Sequence, residues 1–559
     1  MKKRILAFLM AATMLLSMGA CGNSAPAESK PAEKPAETTP AAPAAPATPA
    51  APAETPSEPA EGGTFIVPIN SNSLTSLTPY SIYGSDDGQM AAEPCYDSLF
   101  IVSSTGTRWY LAESLTATAD DGCHWEMKLK DGLTWHDGEA ITADDIVWTV
   151  KMLQNKDNTG KVSQYVEYDG KGIEVEKVDD LTVSITLQQP YSAFESEFGR
   201  IKPLPEHVFG GETYIKEMTD ALNLCIGSGP FKFKEYIEGE AIIYERYDDY
   251  YGGKAKLDQV IIKMMPDLSA QEAALQTGEI SMMRVTSQAK LDKYKADDNY
   301  TVYSIPEGRL NYMTFNYQCD IWKNPDARKA VCLALNVDEI ILGGYGSEEL
   351  ALPAKNFCSP ENFYYNNEME GYQQNIEEAK RLAEESGLTD ITLNYIYFTA
   401  RPNMKETAQI VQQQLKQIGV EVNVQGLSAS GEFFGHLFAA WRGGKTTEDT
   451  SWHLATNGMD SLNADPATKM SSWKSPLIQN GMYMSDETIE LWEKASQAID
   501  VAEREKLYKE LQVQFNEDYS IYPMANTNYV MVARKEFKGL DALEKYPVFE
   551  DYTKIYVEE

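Results

Sequence analysis

Positive charge is in short supply in this 559-residue chain: 49 lysines and arginines face 84 aspartates and glutamates, a formal charge of −35. A surface this acidic repels phosphate backbones and anionic headgroups, which excludes nucleic-acid binding and broad adsorption to acidic lipid. Histidine is scarcer still. His124, His136, His207, His436 and His453 are scattered, no two of them at i, i+4. With Cys123–His124 as a lone neighbour pair, no metal site is expected. H-E-x-x-H and G-x-S-x-G are absent, so neither of those hydrolytic centres is present. Arg442-Gly443-Gly444-Lys445-Thr446 ends like a phosphate-binding loop, but Ala439 stands where its first glycine belongs, and the cradle is incomplete. Carboxylate pairs abound only because the surface is acidic, and they give no support to a glycosidase. No catalytic residue and no cofactor is expected. Cys95, Cys123, Cys225, Cys319, Cys332 and Cys358 include no C-x-x-C spacing. Sequence cannot pair them, and buried free thiols are the expectation. Beyond residue 20 no apolar run reaches membrane-spanning length.

The first twenty residues differ from the rest. Lys2, Lys3 and Arg4 precede an apolar run of 16 residues, Ile5 to Ala20, short for a bilayer span and suited to an export signal. Met18-Gly19-Ala20-Cys21 resembles a bacterial lipobox, with Met18 where leucine is usual; there the signal is cleaved and the Cys21 thiol takes up diacylglycerol. Residues 22–61 are almost entirely Ala, Pro, Glu, Thr and Ser. Such a segment cannot bury enough surface to offset chain entropy and is expected to stay disordered. It would span roughly 35 Å as a coil, or up to ~120 Å as polyproline II. A lipid at one end and a folded body at the other make it a tether, and the N-terminal lipid is the only expected membrane contact.

At about 150 residues per domain the length suggests three or four domains. The body, 62–559, mixes strands and helices. Phe65-Ile66-Val67 opens it as a strand. Apolar and polar residues alternate in Trp125–Leu129 and Val183–Leu187, as in half-buried strands. Helices are expected at 142–154, 269–277, 376–386, 404–418 and 486–515. For 404–418, Asn403 is placed to cap the start, with Glu406 completing a capping box, and Gly419 ends the helix. Strand 391–398, helix 404–418 and strand 420–425 form a βαβ unit, and the fold class is α/β. Aromatic residues are plentiful, with 32 Tyr, 18 Phe and 9 Trp. Most tyrosines belong in a core, but the residue type also suits recognition of small ligands.

Three stretches carry a family resemblance: "LAESLTATADDGCHWEMKLKDGLTWHDGEAITADDIVWTV" (111–150), "GSGPFKFKEYIEGEAIIYERYDDYYGGKAKLDQVIIKMMPDLSAQEAALQTGEI" (227–280) and "NPDARKAVCLALNVDEII" (324–341). In order and spacing they resemble the family 5 extracellular solute-binding proteins, the dipeptide-, oligopeptide- and nickel-binding components of ABC importers. The resemblance implies a type II periplasmic-binding-protein-like bilobed fold with an extra domain. Domain I would comprise 62–103, 225–308 and 521–559, domain II 104–224 and domain III 309–520. Ligand would lie between domains I and III, the lobes closing on it. The implied partners are a small solute, with peptide first, and the permease subunits with their ATPases. The implied place is the outer face of a bacterial cell membrane. A nickel chelate or an oligosaccharide is the alternative ligand, and an exported acidic hydrolase is the alternative of another class.

Arg401 is the leading ligand contact. It sits between a strand end and a helix start, where ligands of α/β sheets gather, and a guanidinium can grip a carboxylate by two parallel bonds. Arg401-Pro402 also matches the Arg-Pro that binds the peptide carboxylate in dipeptide-binding relatives. Those relatives hold the ligand amine with an Asp four residues before a Pro. Here the segment reads Gly458-Met459-Asp460-Ser461-Leu462-Asn463-Ala464-Asp465-Pro466. Leu462 takes the place of that Asp, Met459 replaces a Trp, and Asp460 is the nearest substitute. Asp465 reads as a turn former. Asn70 and Asn72, after the first strand, and Tyr312, Trp452 and Tyr529, on strands or strand ends, complete the candidates.

Overall fold

A computed structural model describes residues 61–558 except 73, 75, 76, 81–85, 104, 105, 158–161, 212–224, 402, 438–448, 461–464, 470–482 and 543–550; at 86, 87, 162, 430, 460 and 542 it describes the backbone alone. The export signal, Cys21, the tether, Pro402, Ala439, the 442–446 segment and Leu462 therefore lie outside the described residues, as does the side chain of Asp460.

Apolar alternation builds the sheets. Strand His124–Leu129 buries Met127 and Leu129 and exposes His124, Glu126 and Lys128. It pairs antiparallel with Ala112–Ala117 and Thr182–Thr186, and Glu174–Lys177 completes that four-stranded sheet. A second four-stranded sheet runs in the order Thr64–Ile69, Gln259–Met264, Ala241–Arg246, Phe231–Ile237, with its first pair parallel. The largest sheet runs Met282–Val285, Ile521–Arg534, Tyr300–Phe315, Leu454–Asp460, Thr392–Phe398, Glu421–Leu427, and Ala351–Pro353 joins beside Ile521–Arg534.

The βαβ unit is present. Thr392–Phe398 and Glu421–Leu427 pair in parallel from Thr392↔Glu421 to Phe398↔Leu427, and helix Met404–Lys416 crosses between them. The helix buries Met404, Ala408, Val411 and Leu415 against this sheet. Its start differs from expectation. Asn403 adopts the left-handed conformation (φ +68°) and makes no side-chain cap bond. A capping side chain reaches back only from extended backbone, so the capping box with Glu406 does not form. The expected helix 486–515 is also two helices, Asp486–Gln497 and Val501–Glu517. Ala498 is extended, and Asp500 begins a new cap by accepting from the Glu503 N–H at 2.9 Å.

Two cores share the strand Ile521–Arg534. Tyr529, Met531 and Ala533 pack with Phe65, Val67, Ile262 and Met127, while Val530 and Val532 pack with Leu393, Tyr395, Val411 and Leu415. Alternating side chains of one strand thus anchor two bodies. The result is a bilobed α/β molecule. The six described cysteines are unpaired, and five of them are buried. Among the described residues no helix is long and apolar enough to cross a membrane.

Candidate functional site

The long strands Tyr300–Phe315 and Ile521–Arg534 slip register between Pro306 and Arg309 and again between Asn311 and Tyr312. Gly308 holds φ +61° inside the first slip, a backbone that glycine adopts without strain. Here Glu307, Arg309 and Asn311 line a cavity of about 500 Å³, within the range of roughly 300–1,000 Å³ usual for ligand pockets. Asn70, Arg284 and Thr527 also line it, and so do Arg401, Asn403 and Met404 from the strand–helix turn of the βαβ unit.

Arg401 is half-buried, and its Nη1 donates to Asn457 Oδ1 at 3.4 Å. Its guanidinium stands 5.6 Å from the centre of the Phe434 ring, a cation–π arrangement that restrains the side chain. Asn457 Nδ2 in turn donates to the Tyr312 hydroxyl at 3.2 Å. Tyr312 is itself buried, so it supports Arg401 from behind and does not line the cavity.

Glu307 carries the only carboxylate among the described lining side chains, and it accepts from Arg284 Nη2 at 2.7 Å. Arg284 lies 4.8 Å from the ring centre of the buried Tyr529. Tyr529 is thus a floor beneath Arg284 and not a wall. Arg309 runs over the backbone of Gly458, where an added Cβ would come within 2.6 Å of the Arg309 Nε. Asn311 Nδ2 donates to the Tyr345 hydroxyl at 3.1 Å, and burial pushes that hydroxyl up to about 12, which keeps it neutral. The Thr527 Oγ1 is buried and meets no hydrogen-bond partner. A buried, unsatisfied hydroxyl on a cavity wall calls for a ligand or an ordered water.

The remaining candidates fall elsewhere. Asn70 lines the cavity and accepts from Gln271 Nε2 at 3.0 Å, whereas Asn72 is exposed and not part of the described lining. Trp452 is buried among Ile396, Leu427 and Phe433. The backbone of Asp460 lies directly across from Arg309. Asp465 is a bracket: its Oδ1 accepts from the Ala467 N–H at 2.9 Å, the Ser192 hydroxyl at 3.0 Å and the Tyr508 hydroxyl at 3.1 Å. Sequence reasoning missed Arg284, Glu307, Arg309, Asn311 and Thr527. For Glu307 and Arg309 the available signal was a pair of opposite charges around Gly308 in a strand with no other charged residue, which marks a bulge and a close approach. Among the described residues no group of three or more His, Cys, Asp or Glu side chains is placed to hold a metal ion.

Residues 109–481, about two thirds of the chain, match the family model for bacterial extracellular solute-binding proteins, family 5. The dipeptide-binding protein of Escherichia coli is 26% identical over 486 residues, covering 81% of this chain and 88% of that protein. The oligopeptide-binding protein AppA of Bacillus subtilis is 29% identical over 394 residues, 66% of this chain and 70% of that one. Among solved structures, the ABC transporter substrate-binding protein CtaP of Listeria monocytogenes superimposes with a TM-score of 0.80 at 33% identity, covering 89% of this chain and all of that one.

Proposed function

Since this chain belongs to the bacterial extracellular solute-binding proteins of family 5, we propose that it captures peptides in the cavity between its lobes and presents them to an ABC permease. The observation that carries the reading is Arg401, held by Asn457 and Phe434 at the rim of a 500 Å³ cavity. A guanidinium fixed in this way suits the carboxylate end of a peptide. Glu307 or Asp460 would meet the ammonium end in place of the acid that Leu462 lacks. The relatives named for dipeptides and oligopeptides support peptide as the ligand class.

In this reading domains I (62–103, 225–308, 521–559) and III (309–520) close on the peptide, and domain II (104–224) stands aside. Micromolar affinity corresponds to about 8 kcal/mol. Closure follows only if the peptide binds the closed form better than the open one. The protein performs no turnover: relatives of this family carry solutes and leave the translocation chemistry to the importer's ATPases. Residues 1–20 direct export, Cys21 carries the lipid, and the Pro/Ala-rich segment gives the body its reach from the membrane.

The test begins with native mass spectrometry of protein recovered from rich medium, where a co-purifying peptide mass is expected. Titration calorimetry with that peptide should then show Arg401→Ala weakening binding at least about tenfold, or about 1.4 kcal/mol. Amidating the peptide's C-terminus should cost wild type the same factor and cost the variant nothing further. Equal affinity of variant and wild type would remove Arg401 from the site.

A further inference from the structure

Two of the buried thiols are close enough to react. Cys95 Sγ and Cys225 Sγ lie 3.2 Å apart, with 130 residues between them in sequence. Other groups set the frame around them. The Gly229 N–H donates to the Cys95 carbonyl at 2.9 Å and the Phe231 N–H to the Pro94 carbonyl at 3.0 Å. An added Cβ at Gly229 would come within 2.8 Å of the Cys95 carbonyl carbon, so the two backbones touch where only glycine fits. His136 clamps the same turn. Its Nε2 donates to the Gly229 carbonyl at 2.9 Å, and its Nδ1 accepts from the Gly227 N–H at 3.2 Å.

We infer that Cys95 and Cys225 are a modification site, oxidised to an intramolecular disulfide when the protein is exported. An S–S bond of about 2.05 Å requires the sulfurs to approach by only about 1.2 Å, a change that side-chain rotation supplies within a backbone already clamped. Both thiols lose their protons, and two electrons pass to the disulfide of an extracytoplasmic thiol oxidoreductase, which leaves as a dithiol. Such oxidants work outside the cytoplasm, where members of this family operate. Both cysteines are buried in the finished fold, and burial raises the Cys95 thiol well above its ordinary range. The thiolate needed for exchange is therefore available while the chain folds and scarce afterwards.

The position of the pair gives the bond its role. Soon after Cys95 the chain leaves for the sheet built on Ala112–Ala117 and His124–Leu129, and Cys225 precedes strand Phe231–Ile237 of the sheet that Thr64–Ile69 begins. The bond closes the base of that excursion like a drawstring. Both ends lie in one hydrophobic core, and neither lines the ligand cavity.

The full chain should be exported into an oxidising bacterial periplasm, denatured in excess iodoacetamide and digested without reductant. Expected are a peptide pair joined through Cys95 and Cys225, and alkylation of both at least about tenfold below that of Cys332 in the same digest. Dithiothreitol applied during refolding, and separately the Cys95→Ser/Cys225→Ser variant, should lower Tm by about 5 °C. If the double variant fails to fold, the wild-type digest decides. Complete alkylation of Cys95 and Cys225 in the exported protein would overturn the inference, as would a cross-link from either one to a different cysteine.

Discussion

Asp97 shows how much one buried carboxylate can weigh. The hydroxyls of Tyr250 and Tyr251 donate to its Oδ2 at 2.7 and 2.6 Å, and these bonds favour the charged form, but burial outweighs them and lifts the carboxyl from 3.8 to about 6. An aspartate in the unfolded chain titrates near ~3.9. Between those values the folded protein keeps a proton that the unfolded chain has released. The group's contribution to stability is therefore complete below about pH 4 and is lost as pH rises through about 6. Replacing Asp97 with Asn should remove that fall from a plot of Tm against pH. Parallel plots for wild type and variant across the window would assign the titration to another group. At this scale the sequence drew attention to Arg401 because it lies between a strand end and a helix start, and the structure places it among the residues lining the cavity. The sequence did not expose Asp97 or Glu307, because an acid's surroundings are assembled from segments far apart in the chain: Asp97 meets Tyr250 and Tyr251, and Glu307 meets Arg284.

Among the elements, the approach of strand Leu454–Asp460 to strand Tyr300–Phe315 shapes the cavity wall. Gly458 faces Asn311 in the pairing register, and the Arg309 side chain occupies the space a Cβ would take. Both obstacles to a methyl group are side chains, Arg309 Nε and Asn311 Oδ1, each at 2.6 Å. Gly458→Ala should therefore move them at a cost in stability of no more than about 1 kcal/mol while shifting the guanidinium within the cavity. A urea titration close to wild type together with peptide affinity reduced about fivefold, or about 1 kcal/mol, is the expected pair of results. Unchanged affinity would show that Arg309 has no part in the site. The βαβ unit was legible because apolar periodicity switches cleanly from 2 to 3.6 and back. The break at Ala498 was not, since no glycine or proline marks it, and neither was the left-handed turn at Asn403. Its side chain looked like a cap, but the backbone conformation that turns the chain from strand to helix points it elsewhere.

For the whole molecule, the paired strands Tyr300–Phe315 and Ile521–Arg534 border the cavity where they slip register. A pair of strands with irregular hydrogen bonding at its middle can bend there at low cost. If the lobes close on peptide, small-angle scattering should show a smaller radius of gyration on adding a peptide that calorimetry shows to bind. The same curve with and without bound peptide would mean that the cavity is preformed and the lobes are fixed. The sequence by itself determined the acidic balance of charge, the α/β alternation and the family, because these reside in composition, local periodicity and contiguous motifs. Only the tertiary structure decided which polar groups share one cavity and which aromatic candidates sink into the cores. It also decided that Cys95 lies against Cys225. Each of those outcomes depends on side chains brought together by strand register and lobe packing, which short-range sequence pattern does not encode.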